Sequence, residues 1–198
     1  MHKVFASLLI LALFAGSTAE AGVKVVTTWR DSRATAPNFS KIVIAFPTND
    51  TSLRERVESG LARRIPRSVA AHTFVPDSEL GDREAIKKRL TDNQVDGVIL
   101  LRLLDVKEES LVSFGDTAYV YPAVWDVWGL PMAVSTATYS TTLKTILADI
   151  AIFSASTGKA IWVGRMKSTD PKHLRELLDD LVKASASELK KQKLIQSK

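Results

Sequence analysis

Residues 41–46 read Lys-Ile-Val-Ile-Ala-Phe and are closed by Pro47. A short continuous apolar run suits a strand covered on both faces, because neither set of alternating side chains then meets water. Next come the N-cap candidates Asn49, Asp50, Thr51 and Ser52. Leu53, Val57, Leu61 and Ile65 then recur every four residues, one stripe of an amphipathic helix that Pro66 stops. Residues 70–75 read as a second short strand, and Asp82 can cap a helix over 83–94 with Ile86 and Leu90 facing inward. Asp96-Gly97 opens Val98-Ile99-Leu100-Leu101-Arg102-Leu103-Leu104, the most apolar strand of the chain. Strand, helix, strand, helix, strand with short connections implies right-handed crossovers and a partly parallel sheet.

Outward from this unit, the β-branched stretch 23–29 reads as a strand. Residues 139–153 read as a long strand with Ile146, Ala148, Ile150 and Ile152 on one face, and the turn-like 154–159 returns it to 160–166 as an antiparallel hairpin. Asp170 as N-cap and Pro171 at the first helical position would start a last helix, with Leu174, Leu177, Leu178, Leu181 and Val182 as its apolar face. The expected fold class is α/β, in two or three layers. It begins as βαβαβ, continues as a mixed sheet ending in a long antiparallel hairpin, and closes with a C-terminal helix.

Ahead of the domain, Lys3 precedes the uncharged apolar run 4–16, and Ala19-Glu20-Ala21 is a small-x-small cleavage pattern. That order describes a secretory signal peptide over residues 1–21, too short in its apolar part to span a bilayer. Cleavage near Ala21–Gly22 leaves one domain over 22–198, periplasmic or secreted, free or peripheral to a membrane. No later stretch is apolar enough to form a transmembrane helix.

The 198 residues include no cysteine, which excludes disulfides, thiolate chemistry and cysteine-based metal sites. Outside the leader the only histidines are His72 and His173, poor material for a metal centre, and no metal or cofactor is expected. The loop after the first parallel strand, 47–52, holds neither glycine nor lysine, so it cannot cradle a phosphate. There is no G-x-S-x-G elbow beyond the leader. Asp77, Glu79 and Asp82 cluster near one crevice, where a turn and a helix cap account for them. Glu108 and Glu109 would point to opposite faces of an extended chain. No catalytic residue is assigned, and the chain reads as a non-enzyme.

The net charge is +5. Arg54, Arg56, Arg63, Arg64 and Arg67 fall on or just beyond one helix, and Lys87, Lys88 and Arg89 on the next. They read first as solvated faces and second as an attraction for anionic lipid headgroups or other envelope polyanions. No aromatic residue interleaves them, so nucleic acid is not an expected partner.

The stretch 110–140 stands apart. Of the fourteen aromatic residues, Phe5 and Phe14 lie in the leader; half of the remaining twelve fall here, as Phe114, Tyr119, Tyr121, Trp125, Trp128 and Tyr139. Asp116 and Asp126 are its only charges. A long connection inside a compact domain is commonly functional, and aromatic patches mark interaction surfaces. Tyr119, Tyr121, Trp125 and Trp128 are therefore the expected partner-binding anchors, with an envelope protein or a membrane surface as partner. Trp29 and Trp162 are expected to pack on the sheet. Two rivals make different demands. A carboxylate hydrolase would need Asp50, Asp77 and Asp105 to converge on a pocket, and a lipid or hydrophobic-ligand carrier would need the aromatics to line an enclosed cavity.

Taken in order, the export signal, Thr28-Trp29-Arg30-Asp31, the Lys41–Ile44 strand, the Arg54-x-x-x-Glu58 helix, Val95-Asp96-Gly97-Val98-Ile99-Leu100, the aromatic loop and Thr157-Gly158-Lys159-Ala160-Ile161-Trp162 form a series. It resembles a family of small bacterial cell-envelope proteins of unknown function, often lipoproteins. More distantly it is similar to the α/β domains of curli-secretion lipoproteins and penicillin-binding-protein activators. The resemblance implies an envelope α/β domain and brings no catalytic residues. The lipid-bearing cysteine of the lipoprotein members is absent from this chain, so their anchoring is not implied.

Overall fold

A computed structural model describes residues 22–33, 37–104, 123–128, 145–169, 171 and 173–195. Tyr119, Tyr121 and residues 1–21 lie outside them, as does Asp105. Six strands form one sheet in the order β1-β6-β5-β4-β2-β3. They are β1 (Lys24–Arg30), β2 (Ile42–Ala45), β3 (Ser68–Ala70), β4 (Gly97–Leu104), β5 (Thr145–Ser154) and β6 (Ala160–Thr169). The helices are α1 (Thr51–Ala62), α2 (Arg83–Asp92), α3 (Val124–Trp128) and α4 (Leu174–Lys191).

β2 is parallel to both its neighbours, β3 and β4. From β2 the chain crosses through α1 to β3, then back past β2 through α2 to β4. Two right-handed crossovers in opposite directions put α1 and α2 on opposite faces. Side chains of β2 then alternate between two cores. Ile42 and Ile44 join the layer under α1 and α4, while Val43 and Ala45 join the layer under α2 and α3. β4, β5 and β6 continue antiparallel, and β1 closes the far edge against β6 with an irregularity around Val26, which is half exposed.

Ile146, Ala148, Ile150 and Ile152 lie together on the α1/α4 face, as their spacing requires. Trp162 is buried on that face and Trp29 packs at the margin of the other. Besides shifts of a few residues at other element ends, two boundaries depart from the sequence reading for a reason the fold shows. The strand expected over 70–75 stops at Ala70, and Ala71–Thr73 is a 3-10 turn. There the backbone N–H of His72 donates to Glu58 Oε2 at 2.6 Å, so the chain is held by a side chain in place of a ladder. The last helix begins at Leu174 with His173 as N-cap, not at Pro171. β6 stays paired with β5 as far as Thr169, so the chain must turn round the sheet end before a helix can start.

Candidate functional site

In open α/β sheets ligands bind beyond the carboxyl ends of parallel strands. Here that crevice is occupied by the protein's own ions. Asp50 caps α1 by accepting from Leu53 N at 3.0 Å, which turns Arg54 and Glu58, one helical turn apart, inward. Both are buried. Glu58 Oε1 accepts from Phe46 N (3.0 Å) and Arg54 Nε (3.2 Å). Glu58 Oε2 accepts from His72 N and lies 2.9 Å from His72 Nδ1. Glu58 thus meets Arg54 with one oxygen and both the backbone and the ring of His72 with the other. Arg54 also donates to Val75 O (2.9 Å) and to Asp77, whose other oxygen accepts from Thr51.

Burial pushes the Glu58 carboxyl up from its ordinary value, while Arg54 and the amides of Phe46 and His72 pull it down. Hydrogen bonds from Thr51 and Arg54 hold Asp77 below the usual carboxylate range. These bonds tie the β2–α1 loop to the segment after β3. The acidic group 77, 79 and 82 divides accordingly. Asp77 belongs to this cluster, Glu79 takes a two-pronged bond from Arg89 (3.0 and 2.7 Å), and Asp82 caps α2 through Glu84 N and Ala85 N. Asp50 and Asp77, two of the three carboxylates a hydrolase would need, are thus engaged as a cap and an ion pair.

A second buried pair lies on the sheet itself. Asp149 and Arg165 face each other across β5 and β6, joined by two bonds of 2.9 and 3.0 Å. Arg102 is the partner of Asp149 on the β4 side. Among the described residues no group of three His, Asp or Glu side chains is placed to hold a metal ion.

The aromatic anchors separate. Val124 and Trp128, four apart on α3, enter the core beneath α2 with Ile86, Leu90 and Phe153, and Trp128 is fully buried. This corrects the expectation for Trp128, whose indole is core and offers no surface to a partner. Trp125 sits on the shoulder of the same helix and is only half-buried. Val124 N donates to Gly158 O at 2.9 Å, fixing α3 on the β5–β6 turn. Gly158 has φ +68, and a Cβ there would lie 2.2 Å from Trp125 Nε1, so this glycine is required both by its backbone and by the indole edge. Lys87 Nζ lies 5.7 Å from the centre of the Trp125 ring. Trp125 forms one wall of an open cleft with Lys87, Thr91, Gln94, Asp96 and Ser156. That cleft lies at the amino ends of the parallel strands, since Gly97 is the register partner of Ser154. Neither Arg54 nor Glu58 was assigned a site role by sequence reading, although their i, i+4 spacing is visible there; their burial is a tertiary fact.

No protein family's sequence profile matches the chain, and no curated protein matches it. Among solved structures, a single-site variant of the PelC dodecamer from Paraburkholderia phytofirmans is similar to it, with 14% identity and a TM-score of 0.44 over 87% of this chain and 99% of that one. A PelC dodecamer from the same organism in another crystal form gives 11% and 0.42 over the same shares. At these scores the likeness says nothing of partner, assembly or activity here, and it does not bear on the resemblance to envelope proteins read from the sequence.

Proposed function

We propose that this chain is an exported, non-catalytic module of the cell envelope, periplasmic once residues 1–21 are removed, that binds an envelope protein through the surface around Trp125. The observation that carries this reading is the half-buried indole of Trp125, held rigidly against Gly158 at the mouth of an open cleft. A large aromatic in a cleft that Leu90, Val95 and Ala155 also line gives contact area at little cost in side-chain freedom, as interface anchors do. Thr91, Gln94 and Ser156 offer hydrogen bonds around it. Tyr119 and Tyr121, outside the described residues, remain proposed anchors, and Trp128 is withdrawn.

The hydrolase reading loses support because Asp50 and Asp77 are engaged elsewhere. The carrier reading would need Trp128 to line a cavity, whereas it packs among core side chains. The test is quantitative capture from envelope extracts by wild type and Trp125→Ala. Loss of one defined partner with the variant, whose fold is checked by its unfolding midpoint, supports the reading. Equal recovery of every partner removes it.

A further inference from the structure

The charge of the molecule is unevenly spread. β6 runs parallel to β2, so α1 and α4, each returning antiparallel to its strand, lie side by side and both end beyond the amino end of β2. Their contact is close: a Cβ on Gly60 would lie 3.3 Å from Val182. At that end the turn after α1 carries Arg63, Arg64 and Arg67, and the end of α4 carries Lys190, Lys191 and Lys193. The two clusters meet where Pro66, Arg67, Leu194 and Ile195 share a shallow groove with Pro37 and Phe39. Arg67, Lys190 and Lys193 are exposed. None of these three makes an ion pair among the described residues, and Lys191 reaches only Glu188, at 3.6 Å. The C-terminal dipole of α4 accounts for Lys190 and Lys191. It does not account for Arg67 and Lys193, which lie past the helix ends in left-handed conformations at φ 57 and 56.

At the opposite end lie Asp50, Asp77, Glu79, Asp82, Glu84 and Glu176, while toward the cationic end Asp92 is paired with Lys88, Asp96 is bonded to Ser40 and Lys41, and Glu188 is paired with Lys191. Three of the arginines near the first group are neutralised: Arg54 by Glu58 and Asp77, Arg56 by Asp179, Arg89 by Glu79. Among the described residues Arg67, Lys190 and Lys193 lack the carboxylate partners that Arg54, Arg56 and Arg89 have, and they share one end of the fold; other exposed, unpaired cations, such as Lys24, Lys167 and Arg175, are not gathered round an apolar groove.

We infer that the end bearing Arg67, Lys190 and Lys193 is a docking surface for an anionic lipid bilayer. Charge complementarity supplies the attraction, and each basic side chain near such a surface raises partitioning about five-fold. The apolar component selects a bilayer over a soluble polyanion. Phe39 and Ile195 are half-buried in the groove between the two cationic clusters. Phe39 is held in place over Gly97, where an added Cβ would come within 2.7 Å of its ring. A basic rim around fixed apolar side chains suits the boundary between headgroups and acyl chains. This inference rests on the charge distribution and does not depend on the reading of Trp125.

The test is flotation of the full chain with vesicles of phosphatidylcholine alone and with vesicles in which a third of the lipid is phosphatidylglycerol. Lys3 and the amino terminus give the leader its own preference for anionic lipid, and the comparison of wild type with a triple variant that shares residues 1–21 cancels it. The expected ratio favours phosphatidylglycerol at low salt and collapses near 1 M salt, where the Debye length is about 3 Å. Arg67→Gln/Lys190→Gln/Lys193→Gln should lower the preference roughly a hundred-fold, the product of three factors of about five, and Trp125→Ala should leave it unchanged. Equal binding by the triple variant, or no preference for phosphatidylglycerol in the wild type, overturns the inference. Heparin binding without vesicle binding would assign the surface to a soluble polyanion instead.

Discussion

Glu58 is the keystone of the carboxyl-end cluster, and its removal has a calculable cost. Glu58→Leu leaves the buried Arg54 guanidinium with Asp77 and Val75 O alone, and strands the N–H groups of Phe46 and His72. Breaking a buried pair from one side costs about 3–5 kcal/mol. Each orphaned buried donor adds about 1 kcal/mol or more. Arg54 keeps Asp77, so the lower end of the pair-breaking range applies, and with two orphaned donors we expect a loss of about 5 kcal/mol, a large part of the stability of a domain this size. Arg54→Leu leaves Glu58 its two amide donors and His72, so about 3 kcal/mol is expected there. In Arg54→Leu/Glu58→Leu no buried charge is left unpaired; the two amides and His72 lose their acceptor, and Val75 O and the half-exposed Asp77 lose the Arg54 donor. The double variant should therefore cost about 4 kcal/mol, a coupling of about 4 kcal/mol against the sum of the singles. Urea unfolding of the four proteins measures it. Additivity within about 0.5 kcal/mol would mean that Arg54 and Glu58 act independently and that the cluster is not one unit.

Further outcomes follow from other parts of the fold. Trp128→Ala should cost about 3–5 kcal/mol, the range for truncating a buried aromatic, and Trp125→Ala far less; similar losses in denaturant unfolding would undo the assignment of one to core and the other to surface. Gly158→Ala should destabilise the wild type by more than the roughly 1 kcal/mol of a left-handed alanine, but by only that amount in a Trp125→Ala background, where the clash at Nε1 is gone. Asp96 accepts from Ser40 N, Ser40 Oγ and Lys41 N. These bonds outweigh burial, which opposes them, and leave the Asp96 carboxyl below its ordinary value of 3.8. Its contribution is therefore present above pH 3.8 and is lost as pH falls through the lower folded value. Melting temperatures at acid pH should fall less steeply in Asp96→Asn than in the wild type, and parallel curves would refute this. Edman sequencing of the exported protein should begin at Gly22; a product that keeps residues 1–21 would end the periplasmic proposal.

The parts of the fold legible in the sequence were those where one apolar pattern decides the matter. The run 41–46 and the run 98–104 can only be strands buried on both faces, and the alternation through Ile146, Ala148, Ile150 and Ile152 fixes which side of β5 meets α4. Residues 70–75 misled because Val75 and Phe74 look strand-like while the backbone of His72 is claimed by Glu58, a residue 14 positions away. Arg54 on a helix stripe reads as a solvated charge, and only the convergence of Val75, Asp77 and Glu58 makes it a buried one. Trp125 and Trp128 look alike in a charge-poor segment. A helix of five residues is too short for periodicity to tell them apart, and the difference comes from α2 and Gly158 closing over Val124 and Trp128 while the shoulder stays open.

Photocrosslinking in the intact cell envelope addresses the binding surface directly. A photoreactive phenylalanine at Trp125 should give one discrete crosslinked product, and the same group at Glu84, among the acids of the opposite end, should give none. Crosslinking from Glu84 alone, or from neither position, would contradict the account.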